Sequence, residues 1–279
     1  MADHTDYELL DSGGGEKLER FGARILARPS TLAVWKRRNP SLWPKADAVH
    51  QHQRGWRFPG ERFADWICTP APGLRMHLRL QDSGQMGLFP EHASYLEECT
   101  RWVGRLKAQG RQARVLNLFA YTGLATLACV QAGADVTHVD LAKHCLDWTS
   151  DNLKLNGLAG VRFIRDDAVK YLERLGRQGQ KFDLVIADPP TFSRLDRNHS
   201  WTLEELLPDL VRMLVQVSTA PGRIILTSHL QQSSPEITAN LFRDWLPHAA
   251  VSVRDLSIAE SGTNRILPCG NYNLVALDG

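Results

Sequence analysis

The sequence predicts an α/β fold: a doubly wound sheet preceded by a small β-containing extension. Three observations carry this. Short apolar runs at Val115–Leu118, Val136–Val139, Val161–Ile164 and Phe182–Ala187 alternate with helical stretches, the pattern of strands buried in a parallel sheet. Three of the runs lead into acids, at Asp140, Asp166-Asp167 and Asp188, where open α/β sheets place their ligands. The first eighty or so residues are rich in proline and glycine and poor in helical period. The expected division is a basic, Trp-rich region over 1–83 and a larger domain over 84–279.

In the N-terminal region, Gly13-Gly14-Gly15-Glu16-Lys17 has neither the glycine spacing nor the Lys-Ser/Thr ending of a phosphate loop and reads as a hairpin turn. His50-x-His52 lacks a third ligand nearby, so no metal is expected. Lys17 to Arg79 holds thirteen Lys or Arg against four Asp or Glu, although the whole chain is only +2. Four of the eight tryptophans, Trp35, Trp43, Trp56 and Trp66, fall in the same stretch. Cations interleaved with rings suit RNA, charge following phosphate and rings stacking on bases. Tryptophans forming a small domain's own core are the other reading. W-K-R-R at 35–38 and R-G-W-R-F at 54–58 are the densest examples. Gly84 to Phe89 reads as a strand, followed by a helix from about Glu91 to Ala108.

Val115 to Asp140 reads as strand, turn, helix and strand. Ala120-Tyr121-Thr122-Gly123 forces the turn, with Gly123 letting backbone pass close to a ligand. Leu124 to Ala132 is a helix stopped by Gly133. Asp140 closes the second strand and suits the two hydroxyls of a ribose. A dinucleotide would also need G-x-G-x-x-G at the first turn, and Gly123 stands alone there. Adenosine without a pyrophosphate points to S-adenosylmethionine. The expected cofactor contacts are Asn117, Phe119, Ala120, Tyr121, Thr122, Gly123, Asp140 and Leu141.

A helix over about Ala142–Asn156 follows, with Ala142, Cys145, Leu146, Thr149 and Leu153 on one face, closed by Asn156-Gly157. After the third strand, Asp166-Asp167-Ala168 opens another helix. An acid there caps the helix or accepts the adenine amine, and Asp167, with Ala168, is the better adenine candidate. The fourth strand ends in Asp188-Pro189-Pro190-Thr191-Phe192. Two prolines fix the backbone and remove two donors. Acceptors on Asp188 and the proline carbonyls are thereby held toward a substrate, on which Phe192 can stack. Asp188, Pro189, Pro190 and Phe192 are the catalytic candidates, and Asp188 is also a cofactor candidate. Arg194, Arg197 and His199 follow in a polar loop that holds substrate phosphate or is simply solvated.

N-L-F-A-Y-T-G, V-D-L, D-N-L-K-L-N-G-L and F-D-L-V-I-A-D-P-P-T-F-S together resemble class I S-adenosylmethionine-dependent methyltransferases, nearest to the bacterial 23S ribosomal RNA methyltransferases of the Rlm K and Rlm I kind. The resemblance is specific over about Gly84 to Ser228. It implies a seven-stranded Rossmann-like sheet ending in an antiparallel hairpin, onto which Arg223–Thr227, Val251–Arg254 and Tyr272–Ala276 fit. The family usually carries Asp-Gln-Arg where this chain has Glu91-His92-Ala93. Its cytosine-C5 branch has a cysteine after the fifth strand, where this chain reads Leu226-Thr227-Ser228-His229. With no cysteine there to activate the ring, C5 chemistry is not expected. Amine methylases usually have an aromatic directly after the two prolines. Here Thr191 intervenes, closer to the guanine-N7 branch. N-methylation of an RNA base, most plausibly in ribosomal RNA, is therefore expected. A protein or small-molecule acceptor, or a non-catalytic RNA- or cofactor-binding role, are the alternatives.

Composition fits a soluble globular protein, 43% apolar and 23% charged. No apolar run reaches membrane-spanning length, and the acidic N-terminus is no signal peptide. Five scattered cysteines without C-x-x-C suit the cytoplasm. The oligomeric state is not legible in the sequence.

Overall fold

The computed structural model describes residues 5–194, 200–230 and 234–278. It divides into two compact units, one of residues 1–93, 151–157 and 257–269, the other of 94–150, 158–256 and 270–279.

The first unit begins with β1 (Tyr7–Gly13), β2 (Glu16–Phe21), β3 (Arg24–Pro29), β4 (Ala48–Gln51) and β5 (Gly55–Arg57), which form one sheet in that order. A hairpin of β6 (Asp65–Ala71) and β7 (Leu74–Arg79) follows. The β1–β2 turn is the one read from the glycine run. Gly13 pairs with Glu16, and Gly14 and Gly15 between them have φ of 65° and 79°, the two left-handed positions that a tight hairpin favours. Leu18, Ala27, Trp43 and Ala46 form one small core; Leu9 and Ala33 with Ile258 and Leu267 form a second. Asn156 belongs to this unit. Its side chain accepts from the Arg75 N–H at 2.8 Å and donates to the Arg75 carbonyl, a structural use for the N-G that closes its helix.

The expected strand over Gly84–Phe89 does not form. Gly84 and Gly87 have φ of 85° and 93°, incompatible with extended backbone. Hydrogen bonds from Arg79 and Gln81 to Met86 and Gln85 make a tight return instead. The apolar Met86 and Leu88, two positions apart, imitate one face of a strand in the sequence, although Gly87 between them is buried as well. The helix expected from Glu91 is preceded by a 3-10 turn over Pro90–His92, with proline at the start, where an N–H would have no partner in any case, and the α-helix proper begins at Ala93.

The second unit is built on a seven-stranded sheet. Its elements in chain order are α1 (Ala93–Ala108), β8 (Arg114–Leu118), α2 (Leu124–Ala132), β9 (Asp135–Asp140), α3 (Lys143–Leu155), β10 (Val161–Arg165), α4 (Ala168–Arg177) and β11 (Phe182–Ala187). A short hairpin of β12 (Phe192–Arg194) and β13 (Ser200–Thr202) comes next, then α5 (Leu203–Gln216), β14 (Ser218–Ser228), α6 (Pro235–Trp245), β15 (Ala250–Ala259) and β16 (Ile266–Leu277). The strand order is β10-β9-β8-β11-β14-β16-β15. The first five strands are parallel, and β16 runs antiparallel to β14. This is the doubly wound arrangement expected, with the order reversing between β8 and β11.

Every residue of β11 is buried, as a strand covered on both faces must be. α2 buries six consecutive residues from Leu124, so it is a small-residue core helix rather than an amphipathic one. α4 turns Ala168, Tyr171, Leu172 and Leu175 inward, and the larger of these side chains contribute about 1.5–3 kcal/mol each on burial. α5 is started by a capping box in which the Thr202 side chain and Glu205 exchange hydrogen bonds with each other's backbone.

Candidate functional site

At the carboxyl end of β8 the backbone is forced through left-handed geometry at Phe119 (φ 54°), Tyr121 (φ 48°) and Gly123 (φ 88°). For non-glycine residues this costs about 1–2 kcal/mol each, so the loop must be held from outside. Asp140 does much of this. Its Oδ2 accepts the Tyr121 N–H at 2.9 Å and its Oδ1 the Ala142 N–H at 2.9 Å. Burial raises the Asp140 pKa above the ordinary carboxylate value, and these two N–H donors oppose the rise. A carboxylate oxygen has two lone-pair sites. Each Asp140 oxygen therefore keeps capacity for one more donor, which matches the two vicinal hydroxyls of a ribose.

Beneath the loop lies a buried histidine that the sequence reading passed over. The Asn117 amide donates to Thr126 Oγ1 at 2.9 Å, and Thr126 Oγ1 lies 2.9 Å from His138 Nδ1. Thr149 Oγ1 is 3.4 Å from His138 Nε2 and donates to the Tyr121 carbonyl at 3.1 Å. Burial pushes the His138 pKa down to about 3. A neutral ring with Nδ1 accepting and Nε2 donating completes the chain from Asn117 to Tyr121. Asn117 thus acts inside the protein, and Thr122 and Ala120 are also buried. Gly123 is also needed for a reason within the protein. A Cβ there would lie 2.4 Å from Thr149 Cγ2, so the close approach is to a side chain of α3.

Asp167 caps α4, its Oδ1 accepting the Lys170 N–H at 2.9 Å, and it is buried. Capping and adenine contact are compatible, because the second oxygen is not used in the cap. Asp166 instead accepts the Asp167 N–H and pairs with Arg174 at 2.8 Å. Ala168 is buried behind Asp167, whereas Leu141 stands 48% exposed beyond Asp140.

At the end of β11 two residues to which the sequence reading gave no role in the site converge on Asp188. Thr227 Oγ1 donates to Asp188 Oδ1, and His229 Nε2 lies 3.1 Å from the same oxygen. Two donors on one oxygen fix the plane of the carboxylate. Both come from the segment Leu226-Thr227-Ser228-His229, where parallel pairing of Ala187 with Leu226 brings the ends of β11 and β14 side by side. Gly270 permits this packing, since a Cβ there would meet the Ser228 carbonyl at 2.5 Å and His229 Nδ1 at 3.1 Å. Pro189 and Pro190 then turn the chain into β12, where Phe192 is 54% exposed. Arg197 and His199 lie outside the described residues, as does the side chain of Arg194.

Comparison with known proteins agrees with this geometry. A family model described as S-adenosylmethionine-dependent methyltransferase matches residues 50–240. The ribosomal RNA large subunit methyltransferase K/L of Allochromatium vinosum is 34% identical over 164 residues, which is 57% of this chain and 21% of that protein. The chain spans only about a fifth of the length of such curated relatives. The crystal structure of the SAM-dependent methyltransferase from Agrobacterium tumefaciens superposes with a TM-score of 0.92 at 31% identity, covering 99% of this chain and 91% of that one. A putative SAM-dependent methyltransferase from Streptococcus mutans shares the fold, with a TM-score of 0.77 at 16% identity over 99% of this chain and 76% of that one.

Proposed function

We propose that this chain, which belongs to the S-adenosylmethionine-dependent methyltransferases, transfers the methyl group to a nitrogen of an RNA base, in ribosomal RNA. The observation that carries the acceptor assignment is the arrangement at the end of β11. There a carboxylate oriented by Thr227 and His229 is followed by two prolines and an exposed ring. The relatives named as ribosomal RNA large subunit methyltransferases, and the excess of Lys and Arg over 17–79, support RNA over other acceptors. The fold alone does not choose an acceptor.

S-adenosylmethionine supplies an electrophilic methyl group on a sulfonium sulfur. Asp140 would hold the ribose hydroxyls, Asp167 the adenine amine, with Ala168 and Leu141 as apolar cover. The backbone from Phe119 to Gly123, with Asn117 behind it, would shape the rest of the cofactor cleft. A base nitrogen has its own lone pair, so the protein's task is to place it in line with the methyl group. Positioning of this kind accounts for much of the rate in displacement reactions. Asp188 would accept a hydrogen bond from the base, joined by the Pro189 carbonyl, while Phe192 stacks on the ring. The prolines keep these acceptors from turning away. No cysteine stands at Asp188 or its neighbours Thr227 and His229, which favours nitrogen over cytosine C5.

The test is transfer of tritiated methyl into RNA, protein and small-molecule fractions of a strain lacking the protein. Asp188→Ala should lower transfer into RNA by about 10²–10⁴-fold while cofactor binding persists. Label confined to protein or small molecules, or an Asp188→Ala protein with full activity, would overturn the assignment.

A further inference from the structure

The first unit contains a cavity of about 550 Å³ whose lining includes Arg54, Trp56, Phe58, Arg62, Phe63 and Asp82. That volume lies within the range of small-ligand sites. Its charges divide into two kinds. Arg79, also in the wall, is already neutralised by Asp65 at 3.1 Å and Asp151 at 3.2 Å. Arg54 and Arg62 are exposed and have no carboxylate partner among the described residues. Arg62 lies 5.2 Å from the centre of the Phe58 ring, a contact that keeps a guanidinium beside an aromatic while leaving its charge unspent. The wall holds two acids, Asp65 and Asp82, and Asp65 is the one engaged by Arg79.

The aromatic part is equally ordered. Trp56 is tethered by its N–H to the Gln81 carbonyl at 2.7 Å and meets His50 edge-on at 5.1 Å. Phe63 meets Phe58 edge-on at 5.5 Å and Trp66 at 5.3 Å, with Arg24 over its ring at 4.3 Å. Trp56, Phe58 and Phe63 are all half-buried. Rings locked in place yet reaching solvent, beside cations with no protein partner, offer what an unpaired nucleotide needs: a face for the base and charge for the phosphate. Paired RNA hides its base faces within the stack and would leave these rings unused. Trp35 and Trp43 are different. Their N–H groups bond Ser12 and Asp11 inside the unit, and Arg37 covers Trp43 at 3.7 Å. Trp35 and Arg37 of W-K-R-R are therefore architecture, while Lys36 and Arg38 are exposed, and in R-G-W-R-F the aromatic rings as well as the cations reach solvent.

We infer that this cavity binds one unpaired nucleotide of the RNA, distinct from the base that is methylated, with Arg54 and Arg62 on the phosphate and Trp56, Phe58 and Phe63 against the base. This rests on the reading of RNA as the acceptor. The enzyme would then select a target by a single-stranded flank as well as by the base itself.

The experiment measures binding of the full chain to a fluorescein-labelled single strand of about 12 nucleotides, and to a blunt duplex of the same length, across a salt series. Wild type should favour the single strand. Arg54→Ala/Arg62→Ala should flatten the slope of log affinity against log salt by about 0.7, the value for one neutralised phosphate of a single strand. Phe63→Leu should weaken single-strand binding about 10-fold with the slope unchanged, and Phe63→Tyr should restore it. Equal affinity for duplex and single strand, or an unchanged slope in the double arginine variant, would overturn the inference. Tritium transfer separates this from the parent reading. RNA labelling with cavity-independent binding defeats only the cavity; cavity-dependent binding with no RNA labelling defeats the RNA-methylation reading and leaves a nucleotide site.

Discussion

Gly123→Ala isolates how the cofactor loop is held. Gly123 has φ of 88°, and an L-residue in left-handed geometry costs about 1–2 kcal/mol. The added methyl would stand 2.4 Å from Thr149 Cγ2 and 3.0 Å from its Oγ1, against a comfortable carbon separation of about 3.5–4.0 Å. Thr149 cannot simply rotate, because its hydroxyl is shared between the Cys145 carbonyl at 2.9 Å and the Tyr121 carbonyl at 3.1 Å. Forcing one extra methyl into such a site costs about 1–3 kcal/mol. The two terms give a loss of about 2–5 kcal/mol, readable as a shift in urea midpoint. Thr149→Ser removes Cγ2 and keeps the hydroxyl. In the double-mutant cycle it should recover the steric part and leave the conformational part, a coupling of about 1–3 kcal/mol. A single variant costing less than about 1 kcal/mol, or a cycle with no coupling, would refute the account.

Two further outcomes follow from the same neighbourhood. His138 stays neutral in the folded protein down to about pH 3, whereas the unfolded chain takes up its proton near 6.5. Its contribution is therefore complete above pH 6.5 and shrinks as pH falls toward 3, by about 1.4 kcal/mol per pH unit. Urea midpoints of His138→Asn should depend less on pH between 7 and about 4.5, and an identical dependence would count against burial as the cause. Asp140→Ala should reduce affinity for S-adenosylhomocysteine about 10- to 100-fold, the worth of one charge-assisted hydrogen bond, measured by calorimetry. Undiminished affinity would remove Asp140 from the ribose site.

Four of the five parallel strands were legible because each is a short apolar run between helices, the fifth was placed only by the family resemblance, and the D-P-P turn was legible because proline constrains backbone locally. What escaped was set at a distance. Thr227 and His229 reach Asp188 only because β11 and β14 align in one register, and no spacing in the chain announces that. His138 sits inside a run that reads simply as a strand, and only the fold supplies Thr126 and Thr149 on either side of its ring. Gly84–Phe89 misled through its alternation, since Met86 and Leu88 are buried by a glycine-bent return rather than a strand. The tryptophans could not be sorted from composition. Which indoles turn inward depends on acceptors such as Asp11, which also takes backbone N–H groups from Ser12, Arg38 and Asn39.

The composition of the first unit has a consequence for the order of events during synthesis. Leu9 bridges to Glu260, Ser12 Oγ donates to the Glu260 carboxylate at 2.6 Å, and Ile258 and Leu267 complete the core around Leu9 and Ala33. Residues 9–33 of this core are thus completed by residues 258–267. While the ribosome is still translating the parallel strands, β1 has an unsealed apolar face and no partner for Ser12. The middle of the chain can close its sheet around β8 to β11 in the meantime. A fragment ending before residue 257 would leave this core open and would be expected to aggregate.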